Sequence, residues 1–333
     1  MPVGRVICGC GRTPNQLDIR HQVQIAASGG RILQQSAVIV CSDVNMLPAA
    51  CCTLLSVKRN LTNADVEFLL LGIDLKPHEV AEVENFGRLH GMAIRVLPYE
   101  TPDTGLQARG RWSAATLARL YMDRDIPDHI ERLLYLDADV LAVAPVDELF
   151  TLDFQGKALA AVDDYVMAFP EKSGARQRKI GMGEGGRYFN AGVLLFDWSA
   201  CRARGLFPRT REIFKERSHL FENNDQDALN VTFDGDWLVL DPRWNTQTGL
   251  LPFVDRPAIF HFTGRKKPWQ ANVPWVHRRM ANRYADDLRN TPWASFCRQP
   301  SRTDRVAGFL SHVGKQIGGL TRLARMRAYF SNS

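Results

Sequence analysis

Two carboxylates one residue apart, Asp137 and Asp139, interrupt the apolar run RLLYLDADVLAV at residues 132–143. An unpaired buried carboxylate is costly, so such a pair calls for a cation, either a divalent metal ion or a structural Arg or Lys. Alternate residues of a strand face one side, so both acids could reach one ion. Hard oxygen ligands suit Mg²⁺ or Mn²⁺. The plain alternative is a pair of solvated acids at a strand end.

Three further constellations bear on the choice. In YFNAGVLLFD (188–197), Asn190, Ala191 and Gly192 break an apolar strand. A Gly lets a ligand approach the backbone closely, and an amide offers both donor and acceptor to hydroxyls, although a simple bulge explains the same break. NNDQDALN (223–230) reads as the start of a helix, with Asp225 and Gln226 near its positive end. Capping accounts for one acid there but not for Asn-Asn-Asp-Gln-Asp together. In IFHFTGRKKPW (259–269), His261 ends an apolar strand and precedes Gly264, Lys266 and Lys267. A lone His is most often structural, but this one can complete a metal site, and Gly amides with a Lys can contact phosphates. Acids and an imidazole for a divalent ion, cations for a diphosphate and amides for hydroxyls together describe a nucleotide sugar.

Strands and helices must hold these groups. SAVIVCSD (36–43), VEFLLLGID (66–74), MAIRVLPY (92–99), RLLYLD (132–137), KALAAVDD (157–164) and YFNAGVLLFD read as strands. Helices are expected at 47–60, from Pro77 to Leu89, at 113–122 with Ser113 as N-cap, and at 209–217. Alternating elements with continuously apolar strands predict an α/β fold with a mainly parallel central sheet. Ligands of such sheets bind at strand carboxyl ends, where Asp43 and Asp137 lie. Residues 170–187, Gly-rich and basic, read as a long loop and a candidate lid.

The motifs LLYLDADVL, RKIGMGEGGRYFNAGVLLFD, NDQDALN and HFTGRKKPW, in that order, resemble glycosyltransferase family 8, the retaining transferases with a GT-A fold, especially bacterial lipopolysaccharide α-galactosyl- and α-glucosyltransferases. The likeness spans roughly residues 36–275. It implies that Asp137, Asp139 and His261 hold Mn²⁺, that Asp43 and Asn45 meet the uridine with Ala138 beside it, and that Arg119 touches donor phosphate or sugar. Gly264 and Lys267 would grip the diphosphate, and Asn190, Ala191, Asp164, Asp225 and Gln226 the sugar. Gln226, Asp225 and Asp164 are the expected catalytic residues, with Asp163 the alternative to Asp164. Met46 stands where family members often stack an aromatic ring on uracil, and a thioether can still pack there. The implied activity is transfer of galactose or glucose from a UDP-sugar to a saccharide or lipid-linked saccharide acceptor. Haloacid-dehalogenase-type phosphatases also end an apolar strand in Asp-x-Asp, with the first Asp as nucleophile. They place that motif on the first strand of the core, whereas here it follows about the fourth. A non-catalytic UDP-sugar-binding protein is the third reading.

The bulk properties agree with a soluble protein. The chain has 333 residues, 45% of them hydrophobic and 23% charged, which suffices for one large α/β domain or two modest ones. The expected division is an extension at 1–35, the transferase domain at 36–300 and a tail at 301–333. Seven irregularly spaced cysteines do not form a disulfide framework; Cys51 and Cys52 suit buried small hydrophobes, and Cys8 and Cys10 read as inert thiols. No apolar run is long enough to span a bilayer and no secretory signal stands out, which predicts a cytoplasmic protein. The net charge of +6 points to an anionic partner, and nucleic acid is not expected. In the tail, Val306, Phe309, Leu310, Val313, Ile317, Leu320 and Leu323 recur at helical spacing among Arg302, Arg305, Lys315, Arg322, Arg325 and Arg327. A basic amphipathic helix of this kind predicts peripheral contact with the anionic inner face of the cell membrane.

Overall fold

The computed structural model describes residues 35–62, 65–101, 117–167, 170–184, 186–271, 277–298 and 300–320. The expected extension, Cys8, Cys10, the N-cap Ser113 and the tail beyond residue 320 lie outside them.

The first half alternates as its apolar runs dictate: β1 (Ser36–Ser42), α1 (Leu47–Arg59), β2 (Val66–Ile73), α2 (Pro77–Leu89), β3 (Ile94–Tyr99), β4 (Arg132–Leu136) and β5 (Val140–Ala142). Pro48 and Pro77 stand in the first turns of α1 and α2, where no backbone donor is needed. Then come β6 (Leu159–Asp163), α3 (Pro170–Ile180), β7 (Phe189–Asp197), α4 (Trp198–Ala203), α5 (Leu206–Arg217) and α6 (Asn224–Thr232). Short strands β8 (Trp237–Val239), β9 (Thr246–Gln247) and β10 (Ile259–His261) precede α7 (Arg278–Leu288) and α8 (Arg302–Leu320).

The large sheet has the order β3-β2-β1-β4-β7-β6-β8. Every pair in it is parallel except those of β7, which runs against β4 and β6. Both faces are buried, which is why the strands read as unbroken apolar runs rather than alternating ones. Val38, Val40, Leu134 and Leu136 pack with α1 and with Val83 and Phe86 of α2. Their alternates Ala37, Ile39, Leu133 and Tyr135 pack with Trp198, Phe207 and Leu229 from α4, α5 and α6.

A second sheet, β5-β10-β9, positions the site. β10 pairs antiparallel with β5 so that His261 stands opposite Val140, next to Asp139. The β4–β5 turn is clamped from both sides: Asp137 N–H donates to Gly192 O (2.9 Å) and Phe262 N–H to Asp139 O (3.0 Å).

Several expectations change. Asp137 and Asp139 lie in the turn between β4 and β5, not within a strand. Their convergence therefore comes from turn geometry rather than strand pleat. The described part of the expected helix at 113–122 is two helical residues followed by a 3₁₀ turn, Arg119–Arg124. The segment read as a loop at 170–187 is largely the helix α3. Its packing explains this: Arg176 forks onto the buried Asp227 (3.0 and 3.1 Å), and Gln177 donates to Gly186 O (2.7 Å). The described cysteines are free, and burial pushes the Cys41 thiol up to about 12 and those of Cys52 and Cys201 well above the ordinary value.

Candidate active site

Asp137, Asp139 and His261 each offer one ligand atom within 4.8 Å of the others. His261 Nε2 stands 3.5 Å from Asp139 Oδ1 and 3.8 Å from Asp137 Oδ2. Ligands bonded to one ion at about 2.1 Å stand roughly 3–4.3 Å apart, so small side-chain adjustments suffice to hold a cation. Two hard carboxylates and an imidazole fit a divalent cation of the Mg²⁺ or Mn²⁺ kind. The imidazole reaches this point only because residue 192 has no side chain. A Cβ on Gly192 would lie 2.1 Å from His261 Cε1. The sequence suggested close approach of a ligand at this Gly; the group that approaches it in the structure is the histidine ring.

Each acid has a second partner. Asp139 ion-pairs through Oδ2 with Lys267 Nζ, which also donates to Phe262 O (2.8 Å). Burial works against the Asp139 charge, but Lys267 and His261 overcome it and hold the carboxyl well below the usual range. Asp137 Oδ1 accepts from Tyr135 OH (2.7 Å) and pairs with Arg119 Nη2 (3.0 Å). Arg119 also reaches Asp225 Oδ2 from Nε (2.7 Å), donates from Nη1 to Ala191 O (2.7 Å) and lies over the Tyr135 ring. Burial opposes the guanidinium charge, yet Asp137 and Asp225 raise its pKa on balance. Burial also lifts Asp225 to about 6, against the pull of Arg119.

The opposite wall is built of amides. Gln226 Oε1 accepts from Ala191 N–H (2.9 Å), while Nε2 donates to Asp164 Oδ2 (3.2 Å) and Tyr188 OH (3.3 Å). Asn190 Nδ2 donates to Asp164 Oδ2 (3.1 Å). Asp163 instead pairs with Arg187, while Asp164 lines the pocket, because the strand end directs the two acids apart. Asp227 accepts from the N–H groups of Glu222 and Asn223 (2.8 Å each), which holds the α6 entry in place.

These side chains line one pocket of about 450 Å³. Of the expected residues, Asp137, Asp139, His261, Arg119, Gly264 and Lys267 lie on its cation side. Asp164, Asn190, Ala191, Asp225 and Gln226 line the remainder. Asp43, Asn45 and Ala138 do not line it. Asp43 accepts from Asn45 N–H (3.0 Å) in the turn after β1, and Ala138 lies in the β4–β5 turn with its carbonyl accepting from Thr53 Oγ1 (3.0 Å). Asn223, the first residue of the flagged Asn-Asn-Asp-Gln-Asp cluster, also lines the pocket, as do Thr263 and Arg265, which the sequence did not mark. Each of these last two is adjacent to a flagged residue, and that proximity was the one clue to it. Asn245, which touches His261, carried no clue beyond its place after Asp241-Pro242, a turn-forming pair.

Comparison with known proteins agrees with this geometry. Residues 37–273 match the family model described as Glycosyl transferase family 8. General stress protein A of Bacillus subtilis is 26% identical over 260 residues, covering 70% of this chain and 87% of that protein. Lipopolysaccharide 1,2-glucosyltransferase of Escherichia coli is 26% identical over 274 residues, 75% of this chain and 77% of that one. A crystal structure of the galactosyltransferase LgtC in complex with donor and acceptor sugar analogs superimposes with a TM-score of 0.70 at 26% identity, covering 78% of this chain and 99% of that chain.

Proposed function

Since the chain belongs to glycosyl transferase family 8 and is a glycosyltransferase, we propose that it moves galactose or glucose from a UDP-sugar to a saccharide acceptor, retaining the anomeric configuration. The observation that carries this reading is the convergence of Asp137, Asp139 and His261 beside Lys267, facing Asp164, Asn190 and Gln226 across one pocket. The E. coli relative is by name a lipopolysaccharide transferase, which supports a lipopolysaccharide or lipooligosaccharide acceptor.

In this reading Asp137, Asp139 and His261 would hold Mn²⁺, which when bound would supply Lewis-acid neutralisation of a diphosphate leaving group. Lys267 adds a fixed cation where negative charge grows, and Gly264 offers backbone close to it. Asp43 and Asn45, with Ala138 nearby, lie at strand ends suited to the uridine. Arg119 lines the same pocket, where a phosphate or sugar oxygen can meet it, and its buried pairs fix Asp137 and Asp225. Gln226 is committed through both ends of its amide, and an amide is a poor nucleophile. Asp164 and Asp225 are each already paired. This favours front-face attack through an oxocarbenium-like state with the leaving phosphate as base; a covalent glycosyl adduct on Asp164 or Asp225 would overturn it.

The deciding experiment is a panel of UDP-sugars with Mn²⁺, scoring UDP release with and without saccharide acceptors. UDP-galactose or UDP-glucose should release UDP and the others much less. No turnover of any UDP-sugar would sink the reading.

The described tail supports a membrane-surface role on the cytoplasmic side. Val306, Phe309, Leu310, Val313 and Ile317 are all exposed and fall within an arc of about 100° on α8. Among the described residues no helix is long and apolar enough to cross a membrane. A basic helix with such a stripe can lie in the interface. Deletion of 302–333 should abolish sedimentation with anionic vesicles, and unchanged sedimentation would refute this role.

A further inference from the structure

Asn245 is fully buried and belongs to neither the pocket lining nor the metal set, yet its side chain meets His261. The Asp241-Pro242-Arg243-Trp244 turn delivers it: Asp241 Oδ1 accepts from Arg243 N–H (2.8 Å) at the turn's start. Pairing of β9 with β10 (Thr246 with Phe260, Gln247 with His261) then sets it alongside the histidine.

The orientation of its amide follows from a chain of hydrogen bonds that starts at a donor of known identity. Gly192 N–H can only donate, and it donates to Asn190 Oδ1 (3.1 Å). That assignment leaves Asn190 Nδ2 facing Asp164 Oδ2 (3.1 Å), an acceptor, as it should. Asn245 must therefore present its NH₂ to Asn190 Oδ1 (2.9 Å). Its carbonyl Oδ1 is left for His261 Nδ1 (3.0 Å). A carbonyl accepts, so Nδ1 carries a proton, and Nε2, 3.5 Å from Asp139 Oδ1 and 3.8 Å from Asp137 Oδ2, is the nitrogen left to meet a cation between them.

We propose that Asn245 is a positioning residue that selects the Nδ1–H tautomer of His261 and thereby presents Nε2 to the divalent cation. The inference rests on the metal reading given under Proposed function. It also links the two sides of the pocket, because Asp164, Asn190, Asn245 and His261 form one hydrogen-bonded path from the amide wall to the cation site. Partners of this kind on a metal-bound histidine fix its ring and raise its basicity.

The test uses the full-length protein and Mn²⁺ alone, with free Mn²⁺ followed by electron paramagnetic resonance. Asn245→Leu keeps the shape and removes the acceptor, and it should weaken Mn²⁺ binding by about 10–100-fold. Asn245→Asp keeps an acceptor at Nδ1 and loses the NH₂ toward Asn190, and it should bind Mn²⁺ at least nearly as well as wild type. A merely structural role for Asn245 predicts equal losses in the two variants, since both break the contact with Asn190; that outcome, or undiminished binding by Asn245→Leu, overturns the proposal. Thermal melts of the metal-free variants report folding. Should Asn245→Leu fail to fold, ¹⁵N resonance of His261 in wild-type protein loaded with diamagnetic Cd²⁺ decides: a proton on Nδ1 and a bare Nε2 support the proposal, and the reverse overturns it. Wild-type protein that binds no divalent ion would overturn the metal reading and this inference together, a result distinct from failure of the variants alone.

Discussion

Asp139→Asn is expected to lower UDP-sugar turnover by about 10³-fold, the loss of roughly 4 kcal/mol of transition-state stabilisation. The substitution removes one of the three proposed cation ligands and also the partner of Lys267. Nothing else in the described structure leans on this carboxylate as heavily, so the fold should survive. Asp137→Asn is a less clean variant, because Asp137 also accepts from Tyr135 and anchors Arg119. The measurement is kcat/KM for UDP release alongside Mn²⁺ affinity and a thermal melt. Turnover within tenfold of wild type in a folded Asp139→Asn protein would remove the metal-assisted mechanism.

Arg119→Met should cost about 3–5 kcal/mol of stability, because it leaves the buried Asp225 and the half-buried Asp137 without their cation. Arg119 is 5% exposed and Asp225 is 2% exposed. The guanidinium joins β4's turn, β7 and the start of α6 through Asp137, Ala191 and Asp225. Arg119→Lys should rescue little, since an ammonium lacks the planar fork that serves three partners at once. Urea unfolding at neutral pH measures the cost. Adding Asp225→Leu to Arg119→Met should recover much of it, since removing both members of a buried pair avoids the stranded charge. A single-variant cost below about 1 kcal/mol, the range of an exposed pair, would show that the cation is not what holds these elements together.

Much of this protein could be read locally. Unbroken apolar runs marked the strands, because both sheet faces are covered, and Pro77 marked the start of α2 to the residue. The acids and the histidine that converge, and the amides facing them, could be singled out because polar side chains at the ends of buried strands are costly unless a ligand or a paired group meets them. Reading 170–187 as a loop failed because its helix is secured by distant partners, with Arg176 held by Asp227 fifty-one residues away. Asp163 and Asp164 could not be separated from sequence, since which of two neighbours meets Arg187 is decided by the strand end and its bulge.

By itself the sequence determined the α/β class, the family and the chemical types of side chain that meet in the candidate site. Those depend on local composition and order along the chain. Only the tertiary structure decided that Gly192 is small to admit His261, that Arg119 is shared between two acids, and that Asn245 faces Nδ1. Each of these is a contact between segments far apart in the chain, with a geometry set by strand pairing and turn shape rather than by neighbouring residues.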